Sequence, residues 1–104
     1  MSAVDQGFGE QAMRRLAHVI KATEVTAVER RLENALEAAG FNAGRLNLTP
    51  LAQQVAAEEA RQLLVGINIQ PVEAPFFGRG DGGVEVRFVF GTETDHVMAK
   101  TVLA

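Results

Sequence analysis

The spacing of the apolar residues changes near residue 65, and this change constrains the fold more than any other feature. Up to about residue 64, apolar side chains recur every three or four residues, as in amphipathic helices. From Val65 onward they alternate, as in strands with one buried face. We therefore predict an α+β fold, with two or three N-terminal helices packed on a C-terminal antiparallel sheet of three to four strands.

The helical pattern occupies three segments: residues 8–22, residues 25–39 and a stretch from Thr49 to about residue 64. Gly40 follows the second segment and is a typical C-terminal stop signal. Thr49 and Pro50 predict the start of the third helix, with Thr49 as N-cap and Pro50 as the first helical residue.

The first two helical segments could form one helix or two. The step of five residues from Ile20 to Val25 rotates the apolar stripe by about 140° from its earlier line. Thr26 and Glu29 also match a capping box, which marks a helix start. These features favour a break or kink near residues 23–26, and a single long helix is the alternative.

Alternating residues predict strands at residues 65–69, 84–90 and 96–103. The last two are separated by about five residues, which predicts an antiparallel hairpin. The glycine-rich segment 78–83, GRGDGG, predicts a turn or flexible loop. Residues 1–104 then make a single domain, with a helical part at about 8–64 and a strand part at about 65–103.

The composition argues against catalysis and fits an ordinary globular protein. The chain of 104 residues is 47% hydrophobic and 22% charged. It contains no cysteine, tryptophan or tyrosine, and its one serine is Ser2, so few of the common nucleophiles are present. We predict no catalytic residue, no cofactor and no metal site.

The net charge and the hydropathy of the chain argue against two classes of partner, nucleic acids and membranes. The net charge of −3 lacks the basic excess expected of a nucleic-acid binder. Residues 1–9 contain no basic residue and no apolar core like that of a secretory signal, and no apolar run is long enough to span a bilayer. We expect a cytoplasmic protein, or a component of a virion assembled in the cytoplasm, that binds neither membranes nor nucleic acid.

Two short motifs have ordinary explanations. Gly78, Gly80 and Gly83 match G-x-G-x-x-G, but a strand is predicted to follow them, whereas a dinucleotide site needs a helix there. The cluster of Glu93, Asp95 and His96 could hold a metal or move a proton, but a solvated turn is the simpler interpretation. An enzyme built on this cluster is the third hypothesis for this chain, and nucleic-acid binding is the fourth.

The leading hypothesis is a structural or assembly protein that acts through protein–protein contacts. The predicted sheet is apolar on both faces, so a second copy or another protein is expected to cover one of them. A homo-oligomeric or adaptor subunit, such as a small phage particle component, fits this pattern. The predicted partner-binding residues are Phe76, Phe77, Arg79, Asp81, Val89, Met98, Val102, Ala52, Ala56 and Ala60.

The second hypothesis is a small acidic binding protein that inhibits, chaperones or regulates one protein partner. Its acidic C-terminal half and the 78–83 loop would make the contact. The two hypotheses differ in oligomeric state, because only the first requires stable self-association.

Overall fold

The structure is a computed structural model, and it describes residues 14–103. Within this range the elements in chain order are β1 (Arg15–Ile20), α1 (Ala22–Ala38), a 3₁₀ turn (Ala43–Arg45), α2 (Thr49–Val65), β2 (Phe76–Gly78), β3 (Val84–Val89) and α3 (Glu93–Leu103). The strands form one antiparallel sheet in the order β1-β3-β2. The α+β prediction is confirmed, but the sheet has three strands in the described range, and helix and strand segments are not separated along the chain.

Strand β1 replaces part of the first predicted helix. Residues 15–20 pair antiparallel with β3, so the helix predicted over residues 8–22 is wrong there, while residues 8–13 lie outside the described range. Leu16 and Ile20 are four residues apart, and this spacing puts two side chains on one face of either a helix or a strand. The β-branched pair Val19 and Ile20 favours the strand.

Helix α1 is continuous through the predicted break. The Thr26 hydroxyl donates a hydrogen bond to the Ala22 carbonyl oxygen at 3.0 Å, so Thr26 lies within the helix and is not its N-cap. The change in direction occurs earlier, at Lys21, where the chain passes from strand to helix. Gly40, with φ of +91°, follows the helix as predicted and adopts the left-handed conformation of a C-terminal stop.

Helix α2 matches its prediction closely, with one correction at its start. Thr49 is the first helical residue, and the Leu48 N-cap position lacks a side-chain cap. The Asn47 side-chain oxygen instead accepts a hydrogen bond from the Thr49 amide at 3.3 Å. Pro50 occupies the first turn, where its missing N–H costs no helical hydrogen bond.

The strand predicted at residues 65–69 is wrong. Val65 is the last residue of α2, and the Ile69 amide donates to the Leu64 carbonyl oxygen at 2.9 Å, which closes a helix-terminating turn. Asn68 takes the left-handed conformation that this turn requires, with φ of +66°. The apparent alternation therefore reflects a helix end, with Ile69 folded back into the core.

Strand β3 confirms the clearest strand prediction, residues 84–90. Its alternate residues Val84, Val86 and Phe88 are buried, as is Phe90 just after it. Its neighbours in the sheet are β1 and β2, and the predicted hairpin with residues 96–103 is absent from the described residues. The 78–83 segment does form a turn, in which the Arg79 amide donates to the Gly83 carbonyl oxygen at 2.8 Å.

The strand predicted at residues 96–103 is helix α3. The Thr92 hydroxyl accepts a hydrogen bond from the Asp95 amide at 3.2 Å and so caps the first turn, which also carries Glu93. Ala99 is buried and Leu103 packs against the core, again at a spacing of four. The two mistaken segments at 15–20 and 96–103 share this ambiguity of spacing.

The core lies between the helices and one face of the sheet, which we call the inner face. Its largest fully buried side chains are Phe88, Phe90, Leu64, Ile69, Val25, Val84 and Val86. Burying each such side chain contributes roughly 1.5–3 kcal/mol to stability. Three alanines of α2, at positions 52, 56 and 60, are also buried, and their small size allows close packing against the neighbouring elements.

Gly83 is predicted to be intolerant of any side chain. A Cβ there would lie 2.6 Å from the Ile20 carbonyl oxygen, where the end of β1 closes on β3. Because the Ile20 oxygen is a backbone atom that cannot rotate away, we expect Gly83→Ala to lower the free energy of unfolding by about 1–3 kcal/mol in urea denaturation.

The matched control is Gly80→Ala in the same turn. A Cβ at this position meets no atom within 4 Å. Gly80→Ala should leave stability unchanged or raise it by up to about 1 kcal/mol. If both variants lost the same amount of stability, the close approach at Gly83 would be contradicted.

Candidate functional site

The most distinctive surface is the side of the sheet that faces away from the helices, which we call the outer face. Alternation along each strand assigns its side chains, because neighbouring residues point to opposite faces. None of them is fully buried, so no element among residues 14–103 covers this face. Its members are Arg15, Ala17 and Val19 of β1, Glu85, Arg87 and Val89 of β3, and Phe77 of β2, with Glu73 beside β3.

The register of the strands places these side chains in rows across the sheet. Val19 and Phe77 lie on either side of Glu85, and Ala17 lies opposite Arg87. Val19 is 45% exposed and Phe77 is 46% exposed. An open antiparallel sheet usually presents polar side chains to water, so apolar residues at these positions are unusual.

Charged groups on the outer face are held in place by their neighbours. The Arg87 guanidinium carbon lies 4.6 Å from the centroid of the Phe77 ring, within the range of a cation–π contact. The same guanidinium donates from Nε to Glu85 Oε2 at 2.7 Å. Arg79 lies 3.8 Å from the other oxygen of Glu85. These contacts fix the orientation of Phe77 and Arg87, although exposed ion pairs add little stability.

A shallow groove of about 420 Å³ runs across one end of the outer face. Its lining includes Phe77, Val89 and Pro75, and its charged members are Arg15, Arg87 and Glu73. The groove combines apolar area with groups of both charge signs. Such a surface is suited to another folded protein surface better than to a small polar ligand.

The predicted partner-binding residues are divided among several places. Phe77 and Val89 lie on the outer face, whereas Phe76 points to the opposite side of short strand β2 and remains 42% exposed. Arg79 and Asp81 lie in the β2–β3 turn, 3.7 Å apart between Nε and Oδ1. Of the ten predicted residues, the structure therefore brings only Phe77 and Val89 together on this face.

Met98 and Val102 are not on the sheet, contrary to the prediction that they lie on its second face. Both belong to α3, where together with Val97 they form its exposed apolar side. Helix α3 contacts β1 and α2, and its Ala99 is buried against the inner face. The exposed side of α3 and the outer face of the sheet are therefore two separate apolar surfaces.

The alanine stripe packs inside the chain. Ala52, Ala56 and Ala60 have at most 6% of their surface exposed, so nearly all of their surface is covered by the fold itself. These three alanines, predicted to bind a partner, therefore pack within the fold.

The acidic cluster near His96 lies in the first turn of α3. The His96 ring stacks on Phe90, with centroids 6.0 Å apart, and the Asp95 amide is used by the Thr92 cap. Among residues 14–103, no group of three or more His, Cys, Asp or Glu side chains is arranged to hold a metal ion.

The contribution of β1 to the outer face was not predicted from the sequence. Ala17 and Val19 were assigned to a helix, so their place on the outer face could not be foreseen. His18 points to the inner side, where it lines a second groove of about 390 Å³ between β1, α1 and α2. The alternation of exposed and less exposed residues along β1 is visible only once its pairing with β3 is known.

His18 is predicted to make stability depend on pH. Burial lowers the pKa of its imidazole below 6.5, and the Glu24 carboxylate opposes this shift in part. The unfolded chain therefore takes up this proton more readily than the folded chain, so stability falls as the pH drops through 6.5 and below. Histidine pKa values from NMR titration, with urea denaturation at several pH values, would measure both effects.

The His18→Gln variant should lose this part of the pH dependence, whereas the control His96→Gln should keep it. A His18 pKa at or above 6.5 in the folded protein would contradict the burial of this side chain.

No helix within residues 14–103 is both long enough and apolar enough to cross a membrane. Searches of protein-family models, of curated proteins and of solved structures find no match to this chain. What the protein does has to be inferred from the chemistry of its own surface.

Proposed function

We propose that this chain is a structural or assembly protein that acts through protein–protein contacts, as a homo-oligomeric or adaptor subunit of a larger complex. A small component of a phage particle is one example of such a subunit. The observation that carries the proposal is the outer face, where Val19, Phe77 and Val89 leave apolar area uncovered by residues 14–103. Exposed apolar side chains on a sheet face are candidates for an interaction site, and on this face Glu85 and Arg87 lie between them.

The charges of the outer face support contact with a second copy. Arg15 and Arg87 are balanced by Glu73 and Glu85 on the same surface. A two-fold interface brings a surface against itself, so a surface with both signs can match each charge to its opposite. A face of one sign would repel its own copy.

The size of the outer face supports a subunit with more than one contact. Three strands about 4.8 Å apart, with about 3.3 Å per residue over six residues, cover only roughly 300 Å². A stable interface typically buries about 800 Å² on each partner. The exposed side of α3, with Val97, Met98 and Val102, is a second apolar surface that could make a further contact.

Self-association through the outer face is predicted to depend on Phe77. The absolute mass in solution, measured by size-exclusion chromatography with light scattering over a hundredfold dilution, should be a multiple of 11.2 kDa. Phe77→Ser removes the ring that Arg87 stacks on and should shift the mass toward the monomer. Circular dichroism would check that the variant is folded.

Phe41→Ser is the matched control, because Phe41 is a 62% exposed phenylalanine that follows α1 and lies outside the sheet. It should leave the mass unchanged. A monomer at every concentration would exclude obligate self-association and favour the alternative, a small acidic protein that binds and regulates a single partner.

A further inference from the structure

Within residues 14–103, one hydrogen-bonding edge of strand β1 has no partner strand. The Phe90 amide donates to the Arg14 carbonyl oxygen at 3.0 Å, so Arg14 and Phe90 form a hydrogen-bonded pair of the antiparallel ladder. Because hydrogen-bonded pairs alternate along such a ladder, Leu16, His18 and Ile20 direct their backbone groups toward β3. Arg15, Ala17 and Val19 must then direct their N–H and C=O groups away from the sheet.

Nothing among residues 14–103 pairs with this edge. β1 is the terminal strand of the sheet, and its one partner in the described range is β3. The side chains of Arg15, Ala17 and Val19 are all exposed. The edge therefore offers three donors and three acceptors at the regular spacing that an added strand requires.

An apolar groove lies on the core side of the same edge. The 390 Å³ groove has His18 and Ile20 of β1 on one wall, and its helical walls include Ala27, Val28 and Leu63. A strand added to β1 would direct alternate side chains toward this side of the sheet. The groove would receive them, so backbone pairing and side-chain burial are available together.

The charges of β1 indicate which strand fits. Residues 14–21 contain two arginines and a lysine but no acidic residue. Pairing two copies of β1 would bring basic side chains together, and basic residues on an edge strand are a known protection against such pairing. Arg15 and Lys21 instead complement an incoming strand with acidic side chains on its outer side.

The groove walls determine which side chains of an added strand can point toward the core side of the sheet. Arg31 and Glu59 pair with each other at 2.9 Å, and Glu24 lies close enough to His18 to affect its pKa. The remaining lining is largely apolar and favours apolar side chains. The matching segment therefore alternates acidic and apolar residues.

We propose that the β1 edge binds an extended segment of a partner protein, with alternating acidic and apolar residues, by adding it as a fourth strand. The inference rests on the proposed function in protein–protein contact and names the chemistry of a partner. Strand addition uses the backbone of β1 and the groove beneath it, and it uses Arg15 from the outer face.

The test uses two fluorescein-labelled heptapeptides that alternate valine with glutamate or valine with lysine. The full chain should bind the glutamate peptide in fluorescence anisotropy and bind the lysine peptide at least about fivefold more weakly, the scale of exposed charge pairs. Amide shifts in NMR spectra should be centred on Arg15, Ala17 and Val19. Added salt should weaken the binding of the glutamate peptide.

Two variants separate backbone pairing from charge. Ala17→Pro removes an edge N–H that has no partner within the sheet, so the fold should survive while binding falls by about tenfold or more. Arg15→Glu should lower the affinity for the glutamate peptide by about fivefold and raise the affinity for the lysine peptide. Arg45→Glu makes the same charge change in the 3₁₀ turn and should leave both affinities nearly unchanged.

Binding is expected to be independent of Phe77, which lies on the far strand of the sheet. Phe77→Ser should therefore keep peptide affinity even if it abolishes self-association, so the two proposals can fail separately. The proposal is overturned if neither peptide binds at 1 mM, or if both bind equally well. It is also overturned if the amides of β1 still shift with the concentration of the chain alone in the Phe77→Ser variant, where association through the outer face is removed, since a second copy would then occupy the edge.

Discussion

The described fold depends on the burial of one face of β3. This strand lies between β1 and β2, so the sheet hydrogen bonds of both neighbours are made to it. Its residues Val84, Val86 and Phe88 form the floor of the core, and the rings of Phe88 and Phe90 stack 6.0 Å apart. The outer face and the β1 edge exist because β3 holds the other two strands in register. Losing either phenylalanine side chain would cost roughly 3–5 kcal/mol, a large part of the stability of a small domain.

Elements with strong local signals could be predicted, and elements decided by distant contacts could not. The alternation of residues 84–90 and the Thr49-Pro50 start of α2 belong to the first group. In β1 and α3, an apolar spacing of four fits both a helix and a strand, so tertiary contacts decide between them. The outer face was foreseen only through Phe77 and Val89, because its β1 members could not be placed without the pairing to β3.

The two proposed surfaces differ in the kind of partner that each can accept. The outer face carries arginines and glutamates together, so it can match a copy of itself. The β1 edge lies between Arg15 and Lys21 without an acidic residue in residues 14–21, so it discriminates against its own copy and in favour of an acidic strand. A subunit with one surface of each kind can join identical neighbours and still bind a different protein. This combination is a common requirement of assemblies that must also recruit another component.

The position of β1 in the chain also affects how the protein is made. Its strand partner, β3, follows only after residues 21–83, which include both long helices. At about 5–20 residues per second, a ribosome needs several seconds to synthesise that stretch. During this time β1 has both edges unpaired, while neighbouring ribosomes on the same messenger RNA expose identical strands. The positive charges of residues 14–21 would then disfavour pairing between two such strands until β3 emerges.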